Sequence, residues 1–356
     1  GGEGRPRAEA GPGVSAMGPG RPGPRRWIHR SLIFLIKACV LTVLIIYVTI
    51  PFAMKINPVI APMMIYFNLF RSPFIDLQHP GKFINHTVNL YLTPEEGVTV
   101  GVWHTVPESR WMETRGKDQQ WYEATLSDGN PVIVYLHGNG GNRAESYRVA
   151  LVKVLSANGF HVLAMDYRGW GDSTGYPSEE GLTMDSVHLY EWARARSGRS
   201  FVCLWGHSLG TGVASNTARR LQEKGRPADA IVLEAPFTTI REEVTCHPFS
   251  VIYKQFPGFE WFFLDPVTEN NIVFHNIENL KSVSSPVLIL HAEDDPIIPF
   301  ELGRKLYRSL HDSRIFKEQV KFVAFPGILG YKHNLIYRDP RLPEILKEFF
   351  KSTTKC

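Results

Sequence analysis

The sequence predicts an α/β domain, a mostly parallel central sheet with helices on both faces, preceded by one N-terminal transmembrane helix. Three observations predict it. From about Val88 onward, short β-type apolar runs alternate with helical patterns. This is the signature of a parallel sheet covered on both sides. One run, Phe201–Trp205, leads directly into Gly206-His207-Ser208-Leu209-Gly210, a glycine-flanked serine between a strand and a helix. Near the N-terminus, Ile33 to Met54 is a predominantly apolar run in which only Lys37 is charged.

Charge locates the first boundary. The 356 residues carry a net charge of +4, from 39 Lys and Arg against 35 Asp and Glu. Residues 1–30 hold six of those Arg (5, 7, 21, 25, 26 and 30) and two of the Glu (3 and 9). The remainder is therefore neutral, and nothing electrostatic points to nucleic acid. Residues 1–30 form a basic tail rich in Gly and Pro that cannot bury a core and is expected to be disordered. Residues 31–54 approach the roughly 20 apolar residues needed to cross a bilayer. Arg25, Arg26 and Arg30 precede the run and Lys55 alone follows it closely. The positive-inside rule then leaves the N-terminus in the cytosol and carries the rest across. The run is longer than a leader's apolar core and no A-x-A-like site follows it, which favours a retained anchor over a cleaved signal. The sequon Asn85-His86-Thr87 lies on the side expected to be lumenal or extracellular, making Asn85 a candidate glycosylation site.

Residues 55–87 form a membrane-proximal segment. Its stretch Val59–Phe74 is broken by Pro62, Asn68 and Arg71. It suits either an interfacial position or packing on the domain that follows. In that domain, 88–356, strands are expected at Val98–Thr105, Val132–Leu136, His161–Asp166, Phe201–Trp205, Ala230–Glu234, Val287–His291 and Val320–Phe325. Helices are expected at Ala144–Ala157, Leu182–Arg196, Gly210–Glu223, Leu302–Leu310 and Leu342–Phe350. The segment from about 238 to 284 breaks the alternation and reads as a lid insertion. Its aromatic residues, Phe249, Tyr253, Phe256, Phe259, Trp261, Phe262 and Phe263, suit a lid core or an acyl-chain pocket. Cys39, Cys203, Cys246 and Cys356 match no metal or disulfide spacing. Cys39 and Cys203 read as small buried hydrophobes.

The chemistry gathers around Ser208. In G-x-S-x-G the serine occupies a tight, strained turn that lifts its hydroxyl above the sheet, so the flanking side chains must be absent. A serine hydroxyl needs a base, and the base needs an orienting carboxylate. The α/β-hydrolase fold supplies them in the order serine, acid, histidine. The acid candidate is Asp295, just past a strand end in Glu293-Asp294-Asp295-Pro296. Asp294 is its immediate rival and Glu293 a weaker one. The base candidate is His333, in the loop after the last strand. An oxyanion hole needs two backbone N–H groups. Leu209 and Asn139 are the candidates, the latter in His137-Gly138-Asn139-Gly140-Gly141. His137 and His207 read as structural. The remaining histidines form no ligand-spaced set, so neither a metal nor a cofactor is expected.

Long blocks of the chain resemble a known family. These are GVWHTVP (101–107), YLHGN (135–139), DYRGWGDS (166–173), WGHSLGTGVA (205–214), HPFSVIY (247–253), LILHAEDDP (288–296) and GYKH (330–333). They are similar to the α/β-hydrolase-domain lysophosphatidylserine lipases and monoacylglycerol lipases of the endoplasmic reticulum membrane. The loop 137–141 reads HGNGG where HGNAG is usual for that family. The resemblance implies a Ser208–His333–Asp295 triad, a lumenal catalytic domain, and cleavage of the acyl ester of lysophosphatidylserine and monoacylglycerols. Two other readings remain at this point. One is a thioesterase acting on acylated proteins, which a lumenal site would exclude from cytosolic substrates. The other is a non-catalytic hydrolase-like binding protein. The partners expected are a single-chain lipid and the bilayer.

Overall fold

The computed structural model describes residue 2 and residues 24–68, 74–315 and 317–353. Most of the basic tail, with Arg71 and Cys356, lies outside the described residues. The chain divides into two units, Gly1–Ile50 and Pro51–Cys356.

In the first unit the backbone is helical from Pro24 to Leu44, with a π-helical turn over Ile45–Thr49. The helix therefore begins inside the stretch read as tail, where Pro24 suits a first helical turn. The π turn ends two residues before Pro51, whose missing N–H cannot continue the regular ladder. Trp27–Ile56 is long and apolar enough to cross a membrane and fits a single-pass anchor. At 1.5 Å per residue its 30 residues reach about 45 Å. Cys39 is exposed on this helix rather than buried in protein, which corrects the expectation for it.

The second unit is built on an eight-stranded sheet: β1 (Thr87–Glu95), β2 (Val98–Thr105), β3 (Val132–Leu136), β4 (His161–Met165), β5 (Val202–His207), β6 (Ala230–Glu234), β7 (Val287–Ala292) and β8 (Val320–Phe325). Their order is β1-β2-β4-β3-β5-β6-β7-β8. The first two pairings, β1 with β2 and β2 with β4, are antiparallel and the rest parallel. Strands β3 to β7 are buried at every residue, as a sheet covered on both faces requires. Alternate residues share a face. Ile133, Tyr135, Cys203, Trp205, Val232, Leu288 and Leu290 pack with Val152 and Leu155 of the helix Ser146–Ala157 and with Leu346 and Phe349 of the helix Leu342–Thr353. The helices Glu179–Arg196 and Leu209–Glu223 pack on the sheet as well.

Strand β1 was not expected. Its sequence TVNLYLTPE contains Pro94, and its register shifts between Leu92 and Glu95. Proline in a run reads as a breaker, and the edge of a sheet is where a strand tolerates it.

The membrane-proximal stretch packs on this unit. Within the short helix Ile60–Tyr66, Ala61 and Tyr66 are buried, and the Tyr66 ring meets Trp170 edge-on at 6.0 Å. The Asn68 side chain donates to the Gly169 carbonyl at 3.0 Å. Between β6 and β7 the insertion folds into short helices, among them Ile240–Cys246 and the π turn Glu260–Leu264. Tyr253, Phe259, Phe262 and Phe263 are buried there, with the Tyr253 and Phe263 ring centroids 4.4 Å apart.

Candidate active site

Ser208 sits between β5 and the helix Leu209–Glu223 at φ 54°, ψ −120°. A side-chain-bearing residue avoids that conformation, at a cost on the order of 1–3 kcal/mol. The flanking glycines explain how the turn closes. A Cβ on Gly206 would lie 2.3 Å from the Gly210 carbonyl oxygen, and one on Gly210 would lie 2.0 Å from that of Leu136. Only glycine fits either place. The Ser208 N–H donates to the Glu234 carbonyl at 2.9 Å, tying the elbow to the neighbouring strand.

The three distant side chains come together. His333 Nε2 lies 2.9 Å from Ser208 Oγ, and His333 Nδ1 lies 2.8 Å from Asp295 Oδ2. A carboxylate only accepts, so Nδ1 carries the ring proton and Nε2 is left to accept from the serine hydroxyl. All three side chains are buried. Burial alone would raise the Asp295 pKa, but hydrogen bonds from His291 and His333 outweigh it and hold the carboxyl below its usual range. Its second oxygen accepts from the Ile297 and Ile298 N–H groups at 2.8 and 3.0 Å. The rival acids are used elsewhere. Asp294 accepts from the Lys332 N–H at 3.0 Å and Glu293 from the Gly327 N–H at 3.1 Å.

The loop 137–141 lies against the elbow. A Cβ on Gly138 would come within 3.0 Å of Ser208 Cβ. Gly140 and Gly141 both take positive φ, 70° and 64°, which glycine adopts without strain. Arg148 is buried and donates to the carbonyls of Gly138, Gly140 and Asn142 at 3.1, 2.7 and 2.8 Å. Leu209 is the first residue of its helix, where N–H groups have no acceptor within the helix and the dipole is positive. Asn139 and Leu209 both line the cavity that contains Ser208.

Two histidines passed over as structural hold the site in place. His207 Nε2 donates to the His333 carbonyl at 3.0 Å, and the two rings lie 5.0 Å apart. Burial, followed by the field of His333, pushes its pKa down to about 3, so it stays neutral. His291 Nε2 donates to the Ile298 carbonyl at 3.0 Å and lies 3.5 Å from Asp295. His137 braces its own loop, donating from Nδ1 to the Gly138 carbonyl at 2.7 Å. No spacing rule marks His207, His291 or Arg148; each acts through a backbone carbonyl that only the fold brings near. The block 166–173 backs the loop 137–141: the Tyr167 hydroxyl donates to the His137 carbonyl at 3.0 Å, and Asp166 and Asp172 both pair with the buried Arg143 at 2.7 and 2.6 Å.

The cavity beside Ser208 holds about 340 Å³. Its apolar walls come from Met64, Ile65 and Phe67, from Phe237, Ile240, Val244 and Phe249, and from Ile297 and Ile298. Of the aromatic residues expected to form an acyl pocket, Phe249 alone reaches it; the others make the core of the insertion or its surface. Packing of this segment on the domain was one of the two expectations for it; that residues 64–67 line the cavity was not foreseen, because no sequence pattern marks the surface they cover. Among the described residues, no group of three or more His, Cys, Asp and Glu could hold a metal ion. Asn85 is exposed in the turn before β1, its side-chain oxygen 2.8 Å from His86 Nδ1.

Comparison with known proteins agrees with this architecture. A family model described as alpha/beta hydrolase fold matches residues 131–265. A lysophosphatidylserine lipase, ABHD12 of Rattus norvegicus, is 55% identical over 324 residues, 90% of this chain and 81% of the rat protein. Protein ABHD12B of Homo sapiens is 54% identical over 288 residues, covering 81% of this chain and 79% of that one. In three dimensions the chain is similar to an esterase from Pyrococcus furiosus, with a TM-score of 0.56 at 16% identity, over 80% of this chain and 97% of the other. At that identity the likeness concerns the fold alone. The chain belongs to the α/β-hydrolase family of the ABHD12 lipases.

Proposed function

We propose that this lipase-family hydrolase cleaves the acyl ester of lysophospholipids, lysophosphatidylserine among them, and of monoacylglycerols. The observation that carries the reading is the continuous relay Ser208–His333–Asp295 at the edge of an apolar cavity. His333 takes the Ser208 proton as Oγ attacks the ester carbonyl. Asp295 holds the ring in the tautomer that can accept that proton and steadies the imidazolium. The N–H groups of Asn139 and Leu209 hold the oxyanion. The protonated His333 then returns its proton to the departing alcohol, leaving an acyl ester on Ser208. Water, deprotonated by His333, attacks that ester and releases the fatty acid.

The apolar walls favour a single acyl chain, and no cofactor is required by these steps. The substrate class follows the lysophosphatidylserine lipase activity of relatives at more than half identity. The insertion 238–284 acts as a lid over the cavity, and residues 31–54 act as the anchor that keeps the domain beside its lipid. Residues 55–87 join that anchor to the catalytic domain 88–356. The excess of arginine before the anchor supports a cytosolic N-terminus and a lumenal catalytic domain, in the endoplasmic reticulum membrane, with a glycan on Asn85. Fatty-acid release from lysophosphatidylserine and monoacylglycerol by the full chain tests the activity. Release that persists in Ser208→Ala would overturn it. Glycosidase sensitivity, lost in Asn85→Gln, tests the topology; a protein of unchanged mobility contradicts it.

A further inference from the structure

Among its apolar walls, the cavity beside Ser208 carries one carboxyl group, that of Glu243 on the helix Ile240–Cys246. Glu243 is 9% exposed. The other acidic residues buried as deeply are committed. Asp166 pairs with Arg143, Asp185 with Arg168, Asp295 with His333 and Asp339 with Arg341, while Glu234 accepts from the Trp205 indole. No hydrogen bond or ion pair of the Glu243 carboxyl is seen among the described residues. Its carboxyl oxygens are not among the side-chain atoms sealed from solvent without a partner; they open onto the cavity, where a ligand or water can meet them. Just past the end of that helix, His247 lines the same cavity. Its Nδ1 accepts from the Phe249 N–H at 3.2 Å, which leaves the ring proton on Nε2.

We infer that Glu243, aided by His247, is the subsite that hydrogen-bonds the free hydroxyls on the alcohol side of the substrate ester. The inference rests on the hydrolytic reading of Ser208. The acyl chain has the apolar walls; a glycerol moiety needs donors and acceptors, and on the wall of the cavity that also holds Ser208 these two side chains supply them. Burial pushes the Glu243 carboxyl up to about 8, so it carries its proton at neutral pH. A neutral acid presents one donor and one acceptor, the same pair that a hydroxyl presents. A site that hydrogen-bonds a substrate hydroxyl discriminates against analogues that lack it, because its own polar groups are then left unpaired.

The test uses the full chain and two esters of one fatty acid, a monoacylglycerol and a p-nitrophenyl ester without alcohol hydroxyls. The readout is the ratio of kcat/KM for the first to kcat/KM for the second. Glu243→Leu is expected to lower that ratio about tenfold, the effect of one lost hydrogen bond to a buried polar group. Glu243→Gln, which keeps a donor and an acceptor, is expected to stay within about threefold. A ratio unchanged in Glu243→Leu overturns the inference. So does a Glu243→Gln variant as impaired as Glu243→Leu, since charge and not hydroxyl pairing would then be recognised. Turnover of the p-nitrophenyl ester by Ser208→Ala would instead overturn the reading of the site, independently of Glu243.

Discussion

The loops at the carboxyl ends of β5, β7 and β8 and the cover over them are built by opposite means. In the loops, position is set by backbone. Gly206 and Gly210 admit no side chain, Ser208 is fixed in a strained turn, and Asp295 is gripped by two N–H groups of its own loop. In the cover, short α, 3₁₀ and π turns are held by rings against rings, as in the contacts of Phe262 with Phe52 and Trp261 at 5.0 and 4.6 Å. Large apolar side chains such as Phe249, Val251 and Trp261 remain exposed there. The first arrangement tolerates almost no change and fixes reacting atoms. The second can shift to admit a chain, and what it selects depends on a few side chains facing the cavity.

Substitutions sharpen that contrast, beginning with the largest effect. Asp295→Asn is expected to lower kcat on the order of 10⁴-fold, as loss of an orienting carboxylate does in other triads. Asp294→Asn, one residue away and bonded to Lys332, is expected to change it less than about threefold. Equal losses would mean that the loop as a whole, and not the His333 contact, matters. Gly210→Ala should destabilise the fold by about 3 kcal/mol or more, since its methyl must displace the Leu136 carbonyl. Thermal unfolding measures this, and an unchanged midpoint would break the distinction between loops and cover. Phe249→Ala should cost under about 1 kcal/mol of stability, because the ring is 43% exposed. It should nevertheless raise KM severalfold for long acyl esters while sparing short ones.

A smaller effect concerns pH. Burial pushes the Glu234 carboxyl from 4.5 up to about 7, partly opposed by its hydrogen bond from Trp205. A carboxyl whose folded pKa is raised contributes stability that is complete below the unfolded value and is lost as pH climbs through the folded one. The stability of the wild type relative to Glu234→Gln should therefore fall by on the order of 2–3 kcal/mol between pH 4 and pH 8. A pH-independent difference in chemical denaturation would contradict it.

How much of this was legible follows the same division. The seven strands from β2 to β8 and the helices beside them match the sequence reading to within a few residues, because short β-branched apolar runs alternate with longer helical patterns. The elbow was legible because glycine is required by sterics alone. Asp295 is preferred over Asp294 in the sequence because Asp295-Pro296-Ile297-Ile298-Pro299 resembles the D-x-x-V-P pattern that follows the acid in lipase-like relatives. The Ile297 and Ile298 N–H groups that grip Asp295 are the geometry behind that pattern. Strand β1 was hidden by its proline and its half-exposed alternation. The supporting roles of Arg148, His207 and His291 were invisible, since each depends on a carbonyl brought near by the fold. The cavity wall at residues 64–67 was hidden for the same reason, and the aromatic insertion proved to spend most of its rings on its own core.

The central claim is that the Ser208 hydroxyl is the nucleophile and is activated by His333. Peptide mass analysis of the full chain after exposure to a fluorophosphonate tests it most directly. A single adduct is expected, on Ser208, absent from Ser208→Ala and formed at least about 10³-fold more slowly in His333→Ala. An adduct at another residue, or labelling undiminished in either variant, would contradict it.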